Sequence, residues 1–433
     1  MALNHDTEGL NRRNFLAGGA SLAGTLLAGE ARAQAKDAAP AKPSTPSAAP
    51  VAPVNCAVIG LGAQGRDLLA SLSRVPGANV LQICDVYPAF LNRAKEGAPK
   101  AATVADYRQV LDNTSVTAVF IATPTHKHKE IALAAVQAGK NVYCEAPLAP
   151  TMEEAREIAR AGKASSALFQ VGQQFRANPQ HHHVLKFVRT GVLNKIAQGR
   201  GQWHRKMSWR RAAPTPEREA EMNWRLSRAT SPGLLGEIGI HYLDTANWFL
   251  KALPVSVTAF GGILQWQDGR DVPDTVQCVV EYPESVRYVM DMTLANSFDG
   301  AYQVFMGSDA AVMMRDELAW MVKEADSPLL GWEVYARKEA LGADMGIALV
   351  ADATKQIKEG KIPGKEKQNT DPGKNALYFA VESFVNAVRE KKPQKDVDCG
   401  PLEGYQAVVT AVKANEAALG GGKIVYQKEW FDL

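Results

Sequence analysis

Glu237, His241 and Asp244 stand at i, i+4 and i+7, a spacing that places all three on one face of a helix. Such a set can move a proton. A neutral imidazole titrating near pH 7 suits a general base, and Glu237 could orient His241 or hydrogen-bond a ligand hydroxyl. The plainer alternative is a solvated helix face that carries a histidine and two acids. A second constellation begins at Gly60-Leu61-Gly62-Ala63-Gln64-Gly65, directly after the apolar run Val54 to Ile59 and before helical sequence from Arg66 to Arg74. In a strand–turn–helix, Gly60 allows the tight turn, Gly62 admits a pyrophosphate against the backbone, and Gly65 lets helix and strand approach. The free N–H groups of the helix start, Ala63 and Gln64 among them, then face the phosphates. Asp85 ends the next apolar run, twenty positions after Gly65. There a carboxylate accepts from the ribose hydroxyls and repels a 2′-phosphate, which favours NAD over NADP.

The elements that must position these groups follow from the pattern. Val116 to Ala122 and Asn141 to Cys144 read as strands around a helix from Lys129 to Ala138. A βαβ series of this kind predicts an α/β Rossmann domain with a doubly wound parallel sheet, over 54–176. The segments Thr123-Pro124-Thr125-His126-Lys127-His128 and Glu145-Ala146-Pro147 fall on the rim past two strand ends, where such sheets bind ligands. Over 177–433 the pattern changes. Val255 to Trp266, Thr275 to Tyr282, Val286 to Ala295, Tyr302 to Gly307 and Ala311 to Arg315 are β-rich, and Pro283-Glu284-Ser285 is a hairpin turn. This predicts an α+β domain on an open, mostly antiparallel sheet, closed by helices Ala376 to Arg389 and Pro401 to Ala418.

Gly60–Gly65, Asp85, Thr123-Pro124…His128 and Glu145-x-Pro147 together resemble the glucose–fructose oxidoreductase/inositol dehydrogenase (Gfo/Idh/MocA) family. The resemblance continues through Trp224-Arg225 and Pro232 to Asp244, which is similar to the family's glycine-rich helix with Asp-x-x-x-His and a further Asp, and it spans residue 54 to the C-terminus. It implies NAD contacts from Thr123, Pro124, His128, Glu145 and Pro147, and carbohydrate contacts from Asp244, Trp224, Arg225, Arg176 and His128. It also implies a homo-oligomer through the C-terminal sheet. His241 and Glu237 become the catalytic pair, Glu237 standing where the family usually has Asp. One position departs: Ala146 replaces a lysine assigned to hydroxyl binding and proton transfer. Arg176, His128 and Lys206 are the candidates to replace it.

Other features bound the function. The 433 residues are 46% hydrophobic and 22% charged, ordinary for a folded chain. A net charge of +3 gives no case for nucleic acid, and after the N-terminal segment no apolar run reaches membrane length. Five cysteines do not make a disulfide scaffold, and four sit in strand-like runs as small core residues. His181-His182-His183 lacks ligand spacing, so no metal site is expected and a solvated helix face is the reading. Trp203-His204-Arg205 and Trp209-Arg210-Arg211 fit equally a pocket wall or a sheet core and rim, and Lys355 to Lys367 reads as an exposed loop. Arg12-Arg13 before a weakly apolar run, with Ala31-Arg32-Ala33 after it, reads as a twin-arginine signal over 1–33, and 34–53 is an Ala/Pro-rich tether. The expectation is export to the periplasm by the twin-arginine machinery, a route that carries folded cargo. The periplasm has no NAD pool to recycle a released cofactor, so an exported enzyme must keep its NAD and close each cycle redox-neutral. Three functions are weighed: an oxidoreductase on a sugar, glycoside or cyclitol; an NAD-dependent glycosidase using transient C3 oxidation; and a non-catalytic, cofactor-stabilised sugar-binding protein.

Overall fold

The computed structural model describes residues 52–331, 333, 336–349 and 374–433. The twin-arginine segment, nearly all of the tether and Lys355 to Lys367 lie outside the described residues. Strands β1 (Val54–Ile59), β2 (Ala78–Cys84), β3 (Ala102–Val104), β4 (Ala118–Ile121), β5 (Asn141–Glu145) and β6 (Phe169–Gly172) form one parallel sheet in the order β3-β2-β1-β4-β5-β6. The sheet is parallel and doubly wound, as the sequence predicts, and its strand order reverses between β1 and β4. All residues of β4 and β6 are buried, because helices cover both faces and leave no solvated side to alternate toward.

The linear division at residue 176 misses one return of the chain. Helix Ala376–Arg389 packs on the parallel sheet, where Phe384 meets Phe120 edge-on at 5.4 Å and Tyr143 at 5.8 Å. Burying the Phe384 ring contributes roughly 2–3 kcal/mol, enough to bind this distant helix to the first sheet.

The second sheet has ten strands: β7 (Ile196–His204), β8 (Ser256–Gly262), β9 (Thr275–Glu281), β10 (Arg287–Thr293), β11 (Ala301–Gly307), β12 (Ala310–Arg315), β13 (Leu318–Lys323), β14 (Lys338–Leu341), β15 (Asp344–Ala348) and β16 (Lys423–Val425). Its order is β14-β15-β13-β12-β11-β7-β10-β9-β8-β16. Every pairing is antiparallel except β7 with β10, which is parallel, so short links do not describe the whole sheet. Alternating burial in β9 and β12 shows one packed and one open face. Helices Ile240–Leu250 and Pro401–Gly420 share one core with the packed face. All five cysteines are buried and unpaired, and no helix of the described residues is long and apolar enough to cross a membrane.

Candidate active site

The switch point between β1 and β4 opens a crevice, and the glycine turn fills its floor. Gly60 has φ +92°, and a Cβ there would lie 2.7 Å from the Ala122 backbone; a Cβ on Gly65 would strike the Gly60 carbonyl. Gly62, by contrast, faces space with nothing within 4 Å, a cradle that a side chain would fill. Helix Ala63–Leu72 starts there with no side-chain cap and no acid in its first turn, so its N–H groups remain available to an anion. The Asp85 carboxylate accepts from Leu61 N at 2.7 Å and Tyr87 N at 2.8 Å, and its burial raises its pKa. Thr123 Oγ1 is buried with no partner, and Glu145, also buried, accepts from Gln64 Nε2 at 3.0 Å. Lacking a cation, the Glu145 carboxyl is pushed by burial up to about 7. The open cradle, the ribose-side acid and the orphaned hydroxyl fit a dinucleotide.

One cavity of about 500 Å3 runs from Asp85 past Gly60, Gly62, Ala63 and Gln64, then past Thr123, Pro124, Glu145 and Ala146, to Trp224, Arg225 and Glu237. Gly65 and Pro147 stand behind its wall as packing. The buried Glu237 is the hub of the far end. It accepts from Thr125 Oγ1 (3.0 Å), Ser231 Oγ (3.2 Å) and Arg225 Nε (3.2 Å), while the Arg225 guanidinium lies 4.4 Å from the Trp224 ring centre. Burial raises the Glu237 pKa against these bonds. Sequence periodicity did not foresee that Leu235–Gly239 is a single π-turn leading into helix Ile240–Leu250. Between Ile240 and Asn247 only His241 keeps a partly exposed side chain. Its Nδ1 is sealed without a partner, which leaves Nε2 as the accessible nitrogen, and burial lowers its pKa to about 4. The ring is therefore neutral at pH 7. His241 sits beyond the wall formed by Glu237, edge-on to Phe175 at 5.9 Å.

Other expected ligand contacts are turned elsewhere. Arg176 donates from Nε and Nη2 to the two Asp244 oxygens at 2.7 and 2.9 Å, an ion pair in which Asp244 is 2% exposed. Neither residue lines the cavity, so the structure does not bring this pair to the expected substrate position or put Arg176 in the place of the missing lysine. His128 is likewise committed: Nδ1 lies 2.9 Å from the Pro147 carbonyl and Nε2 3.0 Å from the Thr123 carbonyl, and because burial lowers its pKa to about 4 the neutral ring donates to one of the two. Its ring backs the cavity, with no nitrogen left for cofactor or substrate. Lys206 is exposed and is not on the cavity wall. The aromatic–basic runs divide: Trp209 and Arg211 line the cavity, whereas His204 Nδ1 meets the Phe298 carbonyl at 3.0 Å and Arg210 is held by Glu219. His181 is no solvated residue, since its ring stacks on Phe175 at 4.7 Å. No group of metal-ligating residues occurs among the described residues. Sequence reasoning missed Thr125 and Ser231, whose only signal is proximity to the Pro124 and Pro232 turns.

A parallel sheet in this order, a glycine cradle and a ribose-side acid define an NAD-binding Rossmann domain joined to a second, sheet-based domain. Residues 54–173 match the oxidoreductase family with NAD-binding Rossmann fold (Gfo/Idh/MocA), and residues 181–312 match the C-terminal domain of the same family. The two cover more than half of the chain, and the protein belongs to that family. It is 32% identical over 149 residues to a levoglucosan dehydrogenase of Pseudarthrobacter phenanthrenivorans, a stretch that is 34% of this chain and 36% of that relative. It is 28% identical over 216 residues to a glycosyl hydrolase family 109 protein of Shewanella baltica, covering 46% of this chain and 47% of the other. The chain thus aligns with about a third to a half of these relatives. The fold is similar to a levoglucosan dehydrogenase solved in complex with NADH and levoglucosan (TM-score 0.69, 20% identity, 87% of this chain and 99% of that one).

Proposed function

We propose that the protein is an exported oxidoreductase that acts on a hydroxyl of a sugar, glycoside or cyclitol, retains its NAD, and completes a redox-neutral cycle. The observation that carries this reading is the single cavity joining the dinucleotide cradle to the Glu237–Arg225–Trp224 cluster. Bound NAD supplies a hydride acceptor and, in its reduced form, a donor. Gly60, Gly62, Ala63, Gln64, Asp85, Thr123, Pro124 and Glu145 would hold it, with Gly65 and Pro147 shaping the turns. At the far end the buried Trp224 indole braces Arg225 at 4.4 Å, and Arg225 and Glu237 on the cavity wall would orient the sugar hydroxyls. Neutral His241, one helical turn past Glu237 and not on the cavity wall, is assigned to take the hydroxyl proton and return it in the reverse half-cycle, an exchange that needs its Nε2 to reach the Glu237 end. His126, on the wall beside Trp224, is the competing base.

The levoglucosan dehydrogenase relative and the complex with NADH and levoglucosan support a carbohydrate substrate. The family 109 relative favours a second reading, glycoside cleavage with transient oxidation. Phe260 and Val279, exposed at 62% and 38% on β8 and β9, support association of copies through the open sheet. Export rests on Arg12-Arg13. Replacing both by Lys should hold precursor in the cytoplasm, and unchanged export would remove the twin-arginine route from the proposal.

Native mass spectrometry of purified protein tests the main reading. Retained NAD(H), whose absorbance changes in single turnovers with free sugars, supports an oxidoreductase. Release of the leaving group from an aryl glycoside with no net NADH moves the assignment to glycoside cleavage. A protein that neither retains nor binds NAD is a sugar-binding protein, and the proposal falls.

A further inference from the structure

The segment 205–223, between β7 and Trp224, crosses from the second domain over the dinucleotide cradle. Trp209, Arg211, Arg218, Glu221 and Met222 all line the cavity. The crossing is pinned. Ser208 Oγ donates to Asp268 Oδ2 at 2.8 Å, Arg210 bonds Glu219 and the Asp268 carbonyl, and Arg218 pairs with Glu221 at 3.0 Å. At Arg211 the hold is reciprocal: Arg211 N donates to Asn223 Oδ1 at 2.7 Å, and Asn223 Nδ2 returns a bond to the Arg211 carbonyl at 3.0 Å. Asn223 is 7% exposed and immediately precedes Trp224-Arg225, so the backbone of Arg211 is fixed to the rim of the cavity.

The guanidinium of Arg211 has no acidic partner among the described residues, although it shares this stretch of cavity with other cations. Arg225 on the cavity wall is paired with Glu237, and Arg66, off the wall, spends one N–H on the Leu61 carbonyl inside the glycine turn. Burial first, and then the Arg225 and Arg66 guanidiniums, lower the Arg211 pKa. Arg218 and Arg225 each have a carboxylate partner and Arg211 has none among the described residues, so its guanidinium is free to take an anion, and the open face of Gly62 with the free helix N–H groups lies on the same cavity.

We infer that Arg211 closes over the diphosphate of the bound dinucleotide from the side opposite the glycine turn, making the stretch from Ser208 to Asn223 a clamp that retains the cofactor. This rests on the oxidoreductase reading and supplies its cofactor retention. A planar fork matches phosphate oxygens, and the interaction acts on cofactor dissociation rather than on the reacting carbon.

The test measures binding of NADH, ADP-ribose and adenosine to the apoprotein by fluorescence and calorimetry, for wild type, Arg211→Gln, Arg211→Lys and the exposed Arg205→Gln. Arg211→Gln should weaken NADH and ADP-ribose about 10- to 100-fold, chiefly through faster dissociation, and flatten the dependence on salt. Arg211→Lys should recover part of the loss. Adenosine, which lacks the diphosphate, should bind all four proteins alike, and Arg205→Gln should match wild type. Unaltered NADH and ADP-ribose binding in Arg211→Gln would overturn the clamp, as would an equal loss for adenosine, because that marks a displaced segment. A wild type that binds neither NADH nor ADP-ribose defeats the oxidoreductase reading itself.

Discussion

Glu145 is an acid kept at a cost, and Glu145→Gln measures it. The carboxyl is 7% exposed, and its side-chain partner is a neutral amide, Gln64 Nε2. Burial outweighs that bond and a backbone bond from Ala146, lifting its pKa from 4.5 to about 7. Above its unfolded value the unfolded chain loses this proton while the folded chain keeps it, so stability falls as pH rises from about 4.5 to about 7 and then levels. At about 1.4 kcal/mol per pH unit, the window amounts to about 3 kcal/mol. Gln preserves shape and removes the charge. Urea unfolding of the apoprotein at pH 5 and pH 8 should show little difference between the two proteins at pH 5, and a glutamine variant more stable by about 2–3 kcal/mol at pH 8. His128 and His241 titrate in both proteins and cancel in the difference. A stability difference that does not change between these pH values would refute the reasoning, since it would mean that Glu145 ionises as an ordinary carboxyl.

Asp85→Ala should weaken NAD and relax discrimination against NADP, on the order of tenfold for one charge-assisted pair, read from the ratio of their dissociation constants; an unchanged ratio removes Asp85 from the ribose. His241→Ala should lower kcat about 10²–10⁴-fold with a smaller effect on KM. In the wild type the acid limb of the kcat profile attributable to this group should fall near pH 4, because burial lowers the imidazole pKa to about 4; a limb at pH 6.5 would assign the base elsewhere. Asp244→Ala strands the Arg176 charge in the interior and should cost about 3–5 kcal/mol in urea unfolding with little change in KM. A raised KM at unchanged stability would restore Asp244 to the substrate.

The Rossmann half was legible because its signals are local. The glycine turn, Asp85 and the buried strands each state their geometry within a few residues, and Gly60 and Gly65 are where the backbone needs them. The strand Ile196–His204 was not legible. Its Gly199 and Gly201 look like loop residues, yet a Cβ at either would collide with the Tyr288 ring packed across from β10. The reason for those glycines lies nearly ninety residues away. Arg176 with Asp244 shows the same limit: each looks like a ligand contact when read alone, and only the fold reveals a bidentate pair. The i, i+4, i+7 spacing assumed a uniform helix, whereas the π-turn separates Glu237 in the cavity wall from His241 behind it.

Ala146 sharpens what the proposed chemistry requires. The resemblance places a lysine between Glu145 and Pro147, a group that both orients a hydroxyl and exchanges its proton. Here the cation paired with Glu237 is Arg225, carried by the loop before the π-turn and braced on Trp224. A guanidinium stays protonated at any working pH, so it can take over the orienting half of that role and not the proton-transfer half. The titratable groups at this end are Glu237, whose pKa burial raises, His126 on the cavity wall 6.1 Å from the Trp224 ring, and His241 behind that wall, the last two with pKa values that burial lowers. In the proposed function a hydroxyl fixed by Arg225 and Glu237 hands its proton to an imidazole, and His241→Ala against His126→Ala tells which ring takes it. With alanine at 146, the cation beside Glu237 comes from the loop that carries Arg225, and the proposed mechanism stands or falls on whether turnover depends on His241.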